Sequence, residues 1–61
     1  MERNFSVGDM ARLPSNAQIM VVTDQMYDNG VQHCQCEWRD SQGRPHDRWY
    51  RAAALVPVER P

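Results

Sequence analysis

Between Val31 and Arg39 apolar and polar residues alternate. Cys34, Cys36 and Trp38 fall on one side of an extended strand, with His33, Gln35, Glu37 and Arg39 on the other. That period of two predicts a strand with one face in a core and one in water. Upstream, Ile19-Met20-Val21-Val22-Thr23 is β-branched and apolar throughout, which predicts a buried strand running on toward Tyr27. Between these runs, Asp28-Asn29-Gly30 signals a hairpin, because Asn-Gly accepts the positive φ angles of the tight turns that strand twist favours. Met10 to Leu13 predicts a short strand with Ala11 and Leu13 on one face, and Pro14-Ser15-Asn16-Ala17 a loop. Asp40-Ser41-Gln42-Gly43 marks a second turn, from which His46 to Tyr50 returns as a strand. Arg51-Ala52-Ala53-Ala54 is too short for an isolated helix and predicts one helical turn. Leu55-Val56-Pro57-Val58 completes the pattern, with Pro57 suited to an edge or a strand end.

Five short antiparallel strands with a helical turn before the last predict an all-β fold, a small SH3-like barrel whose bent sheet closes on itself. The 61 residues make one domain, 1–61, with residues 1–4 and 59–61 expected as loose tails. A chain of this length buries only about 60% of the surface its unfolded form exposes. Small domains find the missing stability in disulfides, metals or association, so a partner or a second copy is expected.

Composition narrows the function classes. Seven basic residues against eight acidic ones leave a net charge of −1, so no general field draws the chain to nucleic acid or an anionic membrane. All seven basic residues are arginines, whose planar forks suit carboxylates and phosphates, and no chemistry needing a lysine amine is available. No apolar run approaches the roughly 20 residues of a membrane span. Met1-Glu2-Arg3-Asn4-Phe5 lacks the apolar stretch of a secretion signal, so a cytoplasmic protein with reduced thiols is expected.

The order Phe5-x-Val7-Gly8-Asp9, Leu13-x-Ser15, Met20-Val21-Val22, Cys36-x-Trp38 and Ala54-Leu55-Val56 resembles the YodC-like family of small bacterial proteins. The resemblance runs from Phe5 to Pro57 and implies a compact β domain. It departs at Pro14-Ser15-Asn16-Ala17, where that family tends to carry Lys-Ser-Gly-Gly. A second likeness, Gly8-Asp9 followed by Arg12, with Tyr50 leading into Ala53-Ala54-Leu55, is to the plasmid-type (type II) dihydrofolate reductases. That resemblance implies an SH3-like barrel assembling as a tetramer around one pore, lined by a Gln-Ile-Tyr triplet and a Lys. Here the triplet position reads Arg48-Trp49-Tyr50 and the Lys position is Leu13. Tyr50 alone is kept, so the grip on cofactor and substrate is lost and no reductase activity is expected.

The residues offer little other catalysis, and no catalytic residue, metal ligand or cofactor is assigned. Cys34-x-Cys36 on a strand sends both thiols to one face with His33 on the other, which suits neither tetrahedral zinc nor a disulfide. Both thiols are expected as small core hydrophobes. Asp9 after Gly8 is expected to brace the first turn through its side chain. The sequence has no glycine-rich phosphate loop.

The strongest candidate surface is the hairpin from Trp38 to Arg51. Its binding residues are taken as Arg39, Arg44, Arg48, Trp49, Tyr50 and Arg51. Trp, Tyr and Arg dominate protein–protein hot spots, so a protein partner or self-association is the first expectation. An accessory or inhibitor protein, such as a phage or plasmid encodes against a host machine, fits this description. Stacking of nucleic-acid bases between aromatics and guanidiniums is the alternative. Alternation sets Arg48 and Tyr50 on one face and Trp49 on the other. An outward Trp49 on so small a domain would mark an interface.

Overall fold

The computed structural model of the chain describes residues 4–59. The remaining predicted tail positions, 1–3 and 60–61, lie outside the described residues. Five strands form one antiparallel sheet: β1 (Met10–Arg12), β2 (Met20–Asp28), β3 (Val31–Arg39), β4 (Pro45–Arg51) and β5 (Val56–Val58). A single 3-10 turn, Ala52–Ala54, precedes the last strand, as the alanine run predicts.

Local chemistry sets the turns. Asn29 and Gly30 both adopt positive φ, 50° and 77°, which closes β2 onto β3 in a two-residue loop between the paired Asp28 and Val31. The longer loop between β3 and β4 closes around Asp40. Its amide donates to the Arg44 carbonyl at 3.0 Å, and Gly43 again supplies a positive φ of 77°. At the first turn Asp9 Oδ2 accepts from the Ser6 amide at 2.8 Å while the Asp9 amide donates to the Ser6 carbonyl at 3.0 Å. The brace read from Gly8-Asp9 is present.

The strand order is β4-β3-β2-β1-β5, and the sheet is open. Closure into a barrel would need β5 to pair with β4. Its three residues are instead spent on β1, in the register Met10↔Val58, Ala11↔Pro57 and Arg12↔Val56. The curled inner face holds the core: Phe5, Ala11, Met20, Val22, Cys34, Cys36, Ala52 and Leu55, with Leu13, Trp38 and Tyr50 half-buried against it.

The buried strand expected at Ile19–Thr23 is corrected. Only Met20 and Val22 are buried, whereas Ile19 and Val21 are 44% and 40% exposed. One sheet has one covered face, and among the described residues no second layer lies over the other. An apolar run without alternation therefore exposes every second residue. A bulge between Val22 and Asp24 then shifts the register, so Gln25 and Tyr27 join the inner face and Asp24 and Met26 the outer one.

Gln32 is buried on the same face as the thiols. Its amide nitrogen donates to the Phe5 carbonyl at 2.7 Å and to Gln25 Oε1, and its own Oε1 accepts from the Phe5 amide at 2.8 Å. These bonds pin the N-terminal segment, so that Phe5 closes one end of the core.

Candidate functional site

The hairpin β3–β4 divides the predicted binding residues between two faces. Directly opposed residues share a face, and the pairs are Trp38↔His46, Cys36↔Arg48 and Cys34↔Tyr50 on the inner side. Tyr50 is therefore half-buried against the core, and Arg48, opposite a core thiol, is exposed at the sheet's rim. Glu37↔Asp47, Gln35↔Trp49 and His33↔Arg51 lie on the outer side. Trp49 faces outward and is 42% exposed.

The remaining two arginines are parts of the turn. Arg39 Nη1 donates to the Gly43 carbonyl at 2.8 Å, and Arg44 enters through its backbone, donating to Asp40 Oδ1 at 3.0 Å. Asp40 also accepts from the Gln42 amide at 2.8 Å and, through Oδ2, from His46 Nε2 at 2.9 Å. The His46 hydrogen bond, followed by the Arg44 amide, holds the Asp40 carboxyl below its ordinary value. His46 in turn stacks on Trp38, centroids 5.5 Å apart and planes within 15°. Trp38, expected in the core, is instead its half-buried lid at the hairpin tip. His46 and Trp38 thus serve the turn and the rim of the core, a role sequence spacing alone does not show.

The outer face is built in cross-strand rows. Val21, Glu37 and Asp47 form one, Asp24, Gln35 and Trp49 the next, and Met26, His33 and Arg51 the third. Val21, Met26 and Trp49 are exposed, as is Ile19 before β2. A shallow groove of about 490 Å³ opens beside them, lined by Ile19, Val21, Thr23, Glu37, Trp38 and Arg39 among others. It holds one carboxylate and one guanidinium. Its hydroxyl, from Thr23, donates to the Gln35 carbonyl at 3.3 Å. The apolar members of this face were missed from sequence because Val21 reads as core and Met26 depends on the bulge.

Both thiols are free and fully buried. Burial, and then the neighbouring Cys34, push the Cys36 thiol up to about 11. Burial, and then the Asp9 carboxylate, raise Cys34. Thiols held protonated in a core are poor nucleophiles at neutral pH. No cluster of three His, Cys, Asp or Glu side chains suited to a metal occurs among the described residues. No helix of the described residues is long and apolar enough to cross a membrane.

No protein-family model matches the chain, and neither a curated protein nor a solved structure matches it. The functional reading therefore rests on the geometry of the hairpin.

Proposed function

We propose that this chain is a small non-catalytic binding module that works through protein–protein contacts made by the outer face of the β3–β4 hairpin. The observation that carries this reading is Trp49, 42% exposed within β4, on a sheet face that no layer covers among the described residues. Leaving so much indole in water is unfavourable, and covering it is favourable by about 25 cal/mol for each Å² removed. Val21 and Met26 are exposed on the same face, across β3 on β2, while Arg51 supplies a charge-assisted donor two residues along β4 from Trp49.

The surrounding charge favours a protein over nucleic acid. Asp24 lies in the row of Trp49, and Glu37 and Asp47 in the next, where they would repel a phosphate backbone. Arg48 is on the other side of the strand, so the guanidiniums do not form one basic stripe. Catalysis is disfavoured by the two protonated core thiols and by a groove with a single carboxylate.

The test is retention of protein by the immobilised chain, with tagged and untagged copies of the chain itself included among the prey. Trp49→Arg, folded by circular dichroism, is expected to lose affinity at least about thirtyfold, as loss of an interface hot spot does. Equal retention by both would sink the hairpin surface. Capture of nucleic acid that fades steeply with added salt would replace the protein reading.

A further inference from the structure

The open sheet has two edges of unequal kind. β5 is three residues long and carries Pro57, which has no amide to give, so that edge is blunted. β4 is seven residues long with β3 as its only neighbour among the described residues. Which of its backbone groups reach the free edge follows from the alternation of bonded and non-bonded pairs in an antiparallel ladder. The Asp40 amide donates to the Arg44 carbonyl, so Asp40 and Arg44 are a bonded pair and Arg39↔Pro45, where proline has no donor, is a non-bonded one. Counting on, Glu37↔Asp47, Gln35↔Trp49 and His33↔Arg51 are non-bonded as well. The Thr23 hydroxyl agrees independently: it donates to the Gln35 carbonyl, which is therefore turned toward β2 and away from β4. Asp47, Trp49 and Arg51 thus present their amides to the open edge.

We propose that two copies of this chain join β4 to β4, antiparallel and two-fold, with Trp49 opposite Trp49 of the second copy. This rests on the reading of the hairpin as a protein-contact surface and names its partner. Only registers that oppose the edge-facing residues allow hydrogen bonds. Asp47 against Asp47, or Arg51 against Arg51, opposes like charges. Asp47 against Trp49 brings Arg48 onto Arg48, and Trp49 against Arg51 carries Asp47 past the end of the strand. Trp49 against Trp49 sets Asp47 opposite the partner's Arg51 twice and Arg48 opposite the partner's Tyr50 twice. Charges on an edge strand ordinarily forbid pairing; here their opposite signs lie symmetrically about Trp49 and permit one register. Each Trp49 exchanges both backbone bonds with its twin, and each Arg51 amide reaches the partner's Asp47 carbonyl.

Within one chain Asp47 is opposed by Glu37, a like-charge pair that costs stability. The partner's Arg51 would relieve it. That makes a charge swap decisive. Asp47→Arg improves the internal pairing with Glu37, so its fold is safe, yet it opposes Arg51 across the dimer.

Sedimentation equilibrium from micromolar to millimolar chain tests the proposal. The wild type is expected to dimerise. Asp47→Arg and Arg51→Asp are each expected to raise the dissociation constant by at least about tenfold. The double variant, which restores opposite charges, is expected to return to within about threefold of wild type. Amide exchange on the dimer is expected to protect Trp49 and Arg51, and dilution to release them. A chain that stays monomeric throughout, or a double variant no better than the singles, overturns the dimer. If the chain is monomeric and Trp49→Arg still abolishes retention of another protein, the hairpin surface stands and the homodimer falls. If Trp49→Arg changes neither mass nor retention, both fall.

Discussion

Gln32 shows how much one side chain decides in a small core. It is the buried polar residue among buried apolar ones, and its amide meets both backbone groups of Phe5. No buried side-chain polar atom among the described residues lacks a partner. Gln32→Ala removes the partners of Phe5 and should cost about 1–3 kcal/mol in urea unfolding. Against a total of about 3–9 kcal/mol for a chain this long, that is a large share. A change under about 0.5 kcal/mol, half the least expected, would mean Phe5 is held by packing alone. The thiols give a second prediction at this scale. Cys36 is protonated in the fold up to about 11, whereas its ordinary value is 9.0. The unfolded chain therefore loses its proton first as pH rises. Stability should be intact below 9 and fall between 9 and 11, and Cys36→Ala should flatten that slope. An unchanged slope in the variant would assign the loss to other groups. The sequence put both thiols in the core correctly, because alternation on β3 fixes their face. It could not show Gln32, since a polar residue in phase with a core face looks like an exception until its partners are known.

At the scale of the element, the β3–β4 hairpin is held at its tip by one carboxylate. Asp40 accepts from the Gln42 and Arg44 amides and from His46, and its carboxyl is lowered chiefly by the His46 bond. A lowered carboxyl stabilises the fold above the ordinary value of 3.8 and loses that contribution as pH falls through the folded value. Acid titration followed by the near-ultraviolet signal of Trp38, which stacks on His46, should therefore show the tip loosening below pH 3.8. Asp40→Asn should melt at a lower temperature at pH 7 and lose this acid step. A variant that keeps both would show that the turn closes without the carboxylate. Turn chemistry was the most legible part of the chain: Asn29-Gly30 and Gly43 needed only their backbone preferences to be placed. The bulge after Val22 was not legible, because a register shift is chosen jointly by two strands.

For the whole molecule, the open sheet matters more than the strand count. Closure would have hidden the β4 edge and left Trp49 as ornament on a barrel. An open edge of seven residues asks to be paired, and the arrangement Asp47, Trp49, Arg51 answers with one self-complementary register. A domain with so thin a core gains stability from association by mass action, so melting temperature should rise with chain concentration if the β4 dimer forms. The six hairpin residues singled out by composition take different places in the fold. Arg39 and Arg44 build the turn, Tyr50 lines the core, Arg48 lies at its rim, and Trp49 and Arg51 stand on the outer face, with the Arg39 guanidinium beside its groove.

The sequence by itself determined the five strands, the two hairpin turns and the burial of Cys34 and Cys36, because each follows from local backbone preference or from a period of two. Tertiary structure alone decided that Ile19 and Val21 are exposed, that Trp49 faces out and Tyr50 in, and that the sheet stays open. Those outcomes depend on which strand covers which. A face is outer only when nothing packs on it, and an edge is open only when its would-be partner is committed elsewhere, here β5 to β1.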